Sequence, residues 1–307
     1  MVKSYKEVPL ASVDLLNRDY LHSYPERSSF LIESIKEVGL LQPPLLLEKP
    51  YGLIIICGEG RVKACLELEF AYLPCLVLKD RYPDKDLFFI SLQSNLFRPL
   101  NLVEKAIFFN KVYHLLSEDE ISKTLKLLNL PVNQNTIQTL LVINKLNDDY
   151  KKLILNEKIN PLILKYYEVF DEKFFLKILN IGIKLSLSFS EQRELFELAY
   201  DLMRVDKLEE FLEELSQILD LEDYNQRKKA YKEAFMKFRY PFYSQKWKRL
   251  KEIKSLFTAK GIEVQYVPYL EERDVEIRFK IERLEDLEKR INFLKSHGRE
   301  IFSVFDE

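Results

Sequence analysis

The sequence predicts an α+β chain in three parts. These are a small mixed α/β domain at residues 1–99, an all-helical middle at 100–180, and a helical region at 181–307 that closes in a small α+β module. Three observations predict it. Before residue 100, short apolar runs alternate with amphipathic helical patterns, as in a layered α/β unit. From residue 102 the apolar spacing turns helical and stays so. Near the C-terminus two alternating stretches flank a polar turn and lead into one more helix.

Composition bounds the function. With 307 residues, 47% apolar and 31% charged, the chain is long and apolar enough to fold rather than stay disordered. A net charge of −2 spreads no basic field, so any nucleic-acid contact must be local. No apolar run approaches the ~20 residues of a membrane span, and the first residues lack the apolar core of a targeting segment. Cys57, Cys65 and Cys75 are odd in number and fit no zinc spacing. They read as small buried hydrophobes in a reducing, cytoplasmic protein. His22, His114 and His297 are scattered and suggest no metal or triad.

In chain order, residues 5–9 form a strand and 15–27 a polar loop. Ser28 caps a helix to Val38, with Gly39 as its stop. Residues 45–47 and 53–57 are strands around Tyr51-Gly52, and 73–78 is another; residues 61–69 and 84–96 are helical. The helix over 102–116 precedes Ser117-Glu118-Asp119-Glu120, a capping box that opens the next. A turn over 129–134 follows, and Asn135 caps residues 136–145. Strands at 262–268 and 274–281 and a helix over 283–297 end the chain.

The stretch Ile54-Ile55-Ile56-Cys57-Gly58-Glu59-Gly60-Arg61 runs from a strand through a glycine turn into a helix. Two of only seven glycines fall there. Such a turn lets backbone N–H groups approach an anion, with Arg61 and Lys63 adding charge. Alone, it reads equally as an ordinary strand-turn-helix corner.

Its neighbours make it more specific. Ser34-Ile35-Lys36-Glu37-Val38-Gly39-Leu40-Leu41-Gln42-Pro43 resembles the first box of ParB-type partition proteins, S-I-x-x-x-G-x-x-Q-P. Gly58-Glu59-Gly60-Arg61-Val62-Lys63-Ala64 resembles their second, G-E-R-R-x-R-A. Ser94-Asn95-Leu96-Phe97-Arg98, followed by Glu104-Lys105-Ala106, resembles their third, E-N-L-x-R … E-x-A. The likeness covers roughly residues 5–175 and implies a ParB/sulfiredoxin-like fold for the N-terminal domain. It implies CTP with Mg²⁺ as ligands and a dimeric clamp around DNA. Gln42, Gly58, Glu59, Gly60, Arg61, Lys63, Asn95 and Arg98 would form the nucleotide site, with Asn95 also helping to hold the metal.

Two departures matter. Gly60 stands where the family has the first Arg of its pair, and Ser94 where it has Glu. One phosphate fork and one hard anionic metal ligand are thereby missing. The family's hydrolysis is not carried over, and at most a weak CTPase is expected. Sulfiredoxins share the scaffold, but their catalytic Cys would fall at Glu59, not Cys57. ParB-fold kinases share it too, with Glu26 and Glu59 as possible acids.

The same resemblance makes residues 118–145 a helix-turn-helix-like segment. Gln134, Asn135, Thr136, Gln138 and Thr139 then sit at the start of a recognition helix, where Asn and Gln can pair with adenine. Residues 101–180 carry 11 basic and 10 acidic side chains, so a helical bundle that no longer reads DNA stays open.

Further on, residues 191–223 carry 12 acidic and 3 basic side chains, and 227–260 carry 12 basic and 2 acidic. In the basic stretch Lys228, Lys229, Lys232, Lys246, Lys248 and Arg249 interleave with Tyr231, Phe235, Phe238 and Trp247. Cations among aromatics suit nucleic acid. They suit equally an amphipathic helix pair with its lysines in water.

The leading expectation is a cytoplasmic, nucleoid-associated, CTP-regulated DNA-binding protein of chromosome or plasmid partition. It would act as a homodimer, with a partition ATPase as a further partner. A non-catalytic scaffold for a protein partner is the alternative, and a ParB-fold small-molecule kinase ranks last.

Overall fold

The computed structural model describes residues 3–25, 29–270 and 272–306. The chain forms two compact units, Met1–Glu172 and Lys173–Glu307. The boundary expected at residue 99 falls inside the first unit, and the one at 180 falls inside a helix, Glu172–Lys184.

The first unit is built on a five-stranded mixed sheet. Its strands are β1 (Lys3–Pro9), β2 (Val13–Asp14), β3 (Leu45–Lys49), β4 (Gly52–Cys57) and β5 (Tyr72–Lys79), in the order β1-β5-β3-β4-β2. The β1–β5 and β3–β4 pairs are antiparallel, and β3–β5 and β2–β4 are parallel. The inner strands read as unbroken apolar runs because both faces are covered. On one face α1 (Ser29–Val38) and α2 (Glu59–Glu67) place Ile35, Val62 and Cys65 against Leu46, Ile55, Cys75 and Val77. On the other, Leu87 of α3 (Asp84–Gln93) packs on Leu45, Leu47, Ile54, Ile56 and Leu78. Cys65 and Cys75 are buried free thiols whose pKa values burial raises.

The element ends follow local chemistry. Gly39 adopts φ +75° and its N–H bonds to Ile35 O at 2.9 Å, which stops α1. Ser28, the expected cap of α1, and Glu26 lie outside the described residues. Helix α2 begins at Glu59, earlier than the expected Arg61, because Gly58 at φ +91° turns the chain straight out of β4.

Helices α4 (Leu102–Val112), α5 (Glu118–Leu127), α6 (Gln134–Lys145) and α7 (Asp148–Leu155) complete this unit with a 3₁₀ segment, Pro161–Glu168. Helices α4 and α5 both start in capping boxes, Asn101 with Glu104 and Ser117 with Glu120. The cap of α6 is Asn133, not the expected Asn135: Asn133 Oδ1 accepts from Thr136 N at 2.8 Å. Helix α4 packs against α3, α6 and α7.

The second unit holds α8 (Glu172–Lys184), α9 (Phe189–Met203), α10 (Leu208–Leu219), α11 (Tyr224–Arg239) and α12 (Pro241–Thr258). A hairpin of β6 (Glu263–Tyr266) and β7 (Val275–Arg278) follows, then α13 (Leu284–Phe302). The acidic and basic stretches face each other here. Lys228 pairs with Glu191 at 3.5 Å, Lys237 with Glu214 at 2.7 Å and Arg239 with Asp201 at 2.6 Å. A separate small core gathers Leu250, Ile253, Phe257, Ile262, Val264, Ile301 and Val304. No described helix is long and apolar enough to cross a membrane.

Candidate functional site

The site starts from one backbone requirement. A Cβ on Gly58 would lie 2.9 Å from Pro44 Cβ and 3.3 Å from Arg61 Nη1, and φ is +91°, so only glycine fits. Gly58 O accepts from Arg61 N at 2.9 Å and Val62 N at 3.1 Å. The amides of Glu59 and Gly60, in the first turn of α2, have no intrahelical acceptor.

A cavity of about 560 Å³ opens at this turn. Seven of the eight residues singled out by the three sequence boxes line it: Gln42, Gly58, Glu59, Gly60, Arg61, Asn95 and Arg98. Lys63 does not line it, but reaches Glu59 from one turn further along α2, Nζ to Oε1 at 3.0 Å. Segments far apart in sequence therefore converge on one hollow.

The charges in it are arranged in pairs. Glu59, 6% exposed, is bound by both Arg18 and Lys63, leaving two cations against one carboxylate. Arg61 Nη2 donates to Gln42 Oε1 at 2.8 Å, so the first box aims the guanidinium of the second. Arg98 is committed elsewhere. Its two Nη atoms each donate at 2.7 Å to the oxygens of Glu104, which is fully buried and also accepts from the N–H groups of Asn101 at 3.0 Å and Tyr24 at 3.3 Å. Burial alone would raise the Glu104 pKa. The Arg98 guanidinium and the Asn101 and Tyr24 amides outweigh it and hold the carboxyl below its usual range.

The residues present do not fit a magnesium ion. Glu59 is the one carboxylate among the described lining residues, and two cations engage it. Asn95 Nδ2 donates to Ser91 O at 2.9 Å and Ser94 Oγ to the same oxygen at 2.7 Å, so both serve the end of α3. No group of three or more His, Cys, Asp or Glu among the described residues could hold a metal. Magnesium at a phosphate site takes one or two protein carboxylates beside waters and phosphate oxygens, and the one carboxylate here is already engaged by Arg18 and Lys63. The arrangement suits an anion held by helix amides and Arg61.

Several lining residues were not legible beforehand. His22 is 2% exposed, and its Nε2 has no hydrogen-bond partner among the described residues. Its pKa is pushed down to about 4 by burial, opposed by Glu104 and reinforced by Arg98 and Lys111. Ser91, also in the wall, donates to Tyr20 O at 2.7 Å and lies 3.5 Å from His22 Nδ1. Lys111 of α4 pins the loop that brings Arg18 and His22 here. Its Nζ donates to the carbonyls of Arg18, of Asp19 at 2.9 Å and of Leu21 at 2.7 Å, and burial pushes its pKa down to about 8. In the sequence these are single polar residues in a loop and two helices, with no spacing that marks them.

The residues expected to face DNA fall in both units. Gln134 and Asn135 are exposed at the start of α6, whereas Thr136, Gln138 and Thr139 are half-buried. Thr136 Oγ1 bonds to Asn133 at 3.0 Å and Gln138 Nε2 to Glu168 at 3.4 Å. In the second unit Lys229 and Lys232 are exposed, Lys228 is in its pair with Glu191, Lys246 Nζ donates to Val304 O at 2.6 Å, and Arg249 meets Glu252 at 3.6 Å. The Lys248 side chain lies outside the described residues. Of the interleaved aromatics, Tyr231 is buried and Phe238 packs on Phe211 with centroids 5.0 Å apart, whereas Trp247 is exposed.

No protein-family model and no curated protein matches the chain. Solved structures similar to it include two of the C-terminally truncated chromosome-partitioning protein ParB from Caulobacter crescentus. The one complexed with CTP-γ-S is 16% identical, covering 62% of this chain and 98% of that one, with a TM-score of 0.27. The one complexed to the centromeric parS site is 18% identical with the same coverages and a TM-score of 0.35. A Pnob8-like ParB-N domain is 14% identical over 66% of this chain and 98% of that one, with a TM-score of 0.42.

Proposed function

We propose that the chain is a ParB-like, DNA-associated protein of the partition type, and that its cavity binds a nucleotide without magnesium and without hydrolysing it. One observation carries the reading. The three boxes that resemble ParB-type proteins converge on a single hollow at a helix N-terminus, with Arg61 aimed by Gln42. The same resemblance makes CTP the nucleotide and a nucleoid-associated homodimer the working form. Gly60 and Ser94, together with Arg98 held by Glu104, leave little to drive hydrolysis. Calorimetry with CTP, ATP and GTP tests this: CTP binds best, and with equal affinity in Mg²⁺ and in EDTA. Absence of binding by all three sinks the nucleotide reading.

DNA contact would come from the first turn of α6 and the exposed lysines of α11. A scaffold for a protein partner is the second reading. It is favoured by the ion pairs that α11 makes to α9 and α10, which engage Lys228, Lys237 and Arg239 of the basic stretch. Fluorescence polarisation with a duplex in ~50 mM salt, where phosphate contacts are strongest, separates the two. The DNA reading expects binding that weakens steeply with added salt; a flat titration leaves the scaffold.

A further inference from the structure

A second hollow, of about 420 Å³, lies in the C-terminal module and is lined by Lys260, Asp286, Lys289, Arg290 and Phe293. Four of these come from α13 at positions that share one helix face. Lys260 comes from the turn between α12 and β6. Three cations thus converge against one carboxylate, and none of the three is in an ion pair among the described residues.

The Arg290 side chain is held in place from two sides. Its guanidinium carbon lies 5.8 Å from the centre of the Phe279 ring. On another side it rests against Gly261. A Cβ there would lie 3.1 Å from Arg290 Nη2 and 3.7 Å from Cζ, so the close approach depends on glycine, which also has φ +68°. With its position set by packing, Arg290 keeps one nitrogen, Nη1, buried and without a hydrogen-bond partner among the described residues.

A buried charged donor without an acceptor is unusual in a folded protein. Nη1 itself is closed to solvent, so what the hollow offers an anion is the excess of three cations over one carboxylate. A planar guanidinium fork flanked by two ammonium groups matches a tetrahedral dianion better than a single carboxylate. We propose that this hollow binds a phosphate group, gripped by Arg290 and supported by Lys289 and Lys260, with Phe293 as its apolar wall. It is independent of the cavity in the first unit.

Phosphorus-31 line broadening of inorganic phosphate tests the site. The full chain carries Arg61→Ala throughout, to weaken anion binding at the other cavity. Broadening is expected in that background. Arg290→Ala should weaken binding at least about tenfold, Arg290→Lys should recover part of it, and Lys289→Gln, a surface change that spares the fold, should weaken it severalfold. Circular dichroism checks that each variant is folded. Displacement of phosphate by a short duplex identifies the source of the group as nucleic acid, and failure of the duplex to displace it identifies a small phosphate ester. No broadening in the Arg61→Ala chain, or broadening unchanged by both Arg290→Ala and Lys289→Gln, overturns the proposal.

Discussion

Glu104→Ala lowers the stability of the first unit by about 3–5 kcal/mol, the usual cost of removing one partner from a buried pair. The carboxylate is fully buried and joins three things at once. It takes a bidentate fork from Arg98, which is 15% exposed, it closes the capping box of α4, and it receives Tyr24 N–H from the loop at residues 18–25. Its loss leaves a guanidinium largely out of water and two amides unsatisfied. Urea denaturation followed by far-UV circular dichroism measures the change, since the single tryptophan, Trp247, sits in the second unit. The pH dependence has a definite sign. The folded pKa of Glu104 lies below the ordinary 4.5, so its contribution is fully present above that value and is lost as pH falls through the folded one. The stability gap between the wild type and Glu104→Gln should therefore narrow in acid. A gap that stays constant down to the acid transition contradicts the assignment.

Arg61→Ala reduces nucleotide affinity by about 10–100-fold, the loss of a charge-assisted fork to phosphate. The fold should survive, because Arg61 is only half-buried and, among the described residues, its side chain hydrogen-bonds to Gln42. Gln42→Ala should give a smaller loss, since it orients the guanidinium without carrying charge. Calorimetry of both variants reads this directly. Equal losses would make Gln42 a direct ligand, and no loss in Arg61→Ala would place the phosphates elsewhere.

Much of the first unit was legible because its signals are local. Alternating apolar runs marked the strands, Gly39 ended a helix through its left-handed backbone, and Ser117 with Glu120 formed the capping box that their spacing predicts. Errors at element ends came from local alternatives of nearly equal energy. Asn133 and Asn135 are both competent caps, and α6 starts from the first, whose Oδ1 accepts from Thr136 N. Gly58 brings the start of α2 to Glu59, which a reading centred on Arg61 placed too late.

Residues of all three boxes line the cavity, whose backbone turn needs a glycine. Charge was less readable. The chain runs from a net of −9 to a net of +10, yet Lys228, Lys237 and Arg239 of α11 pair with acids of α9 and α10 while Lys229 and Lys232 stay exposed. Sign runs along a chain say nothing about which helices become neighbours.

The sequence by itself determined the α+β class, the glycine turn, and the residues Gln42, Gly58 and Arg61 as one candidate site. Those depend on local backbone needs and residue chemistry. Only the tertiary structure decided that Arg98 belongs to Glu104, that Glu59 is matched by Arg18 and Lys63, that His22 lines the wall, and that Arg290 rests on Gly261. Each depends on which distant segments packing brings together, and for the Arg98–Glu104 and Glu59 pairs burial then makes the pairing compulsory.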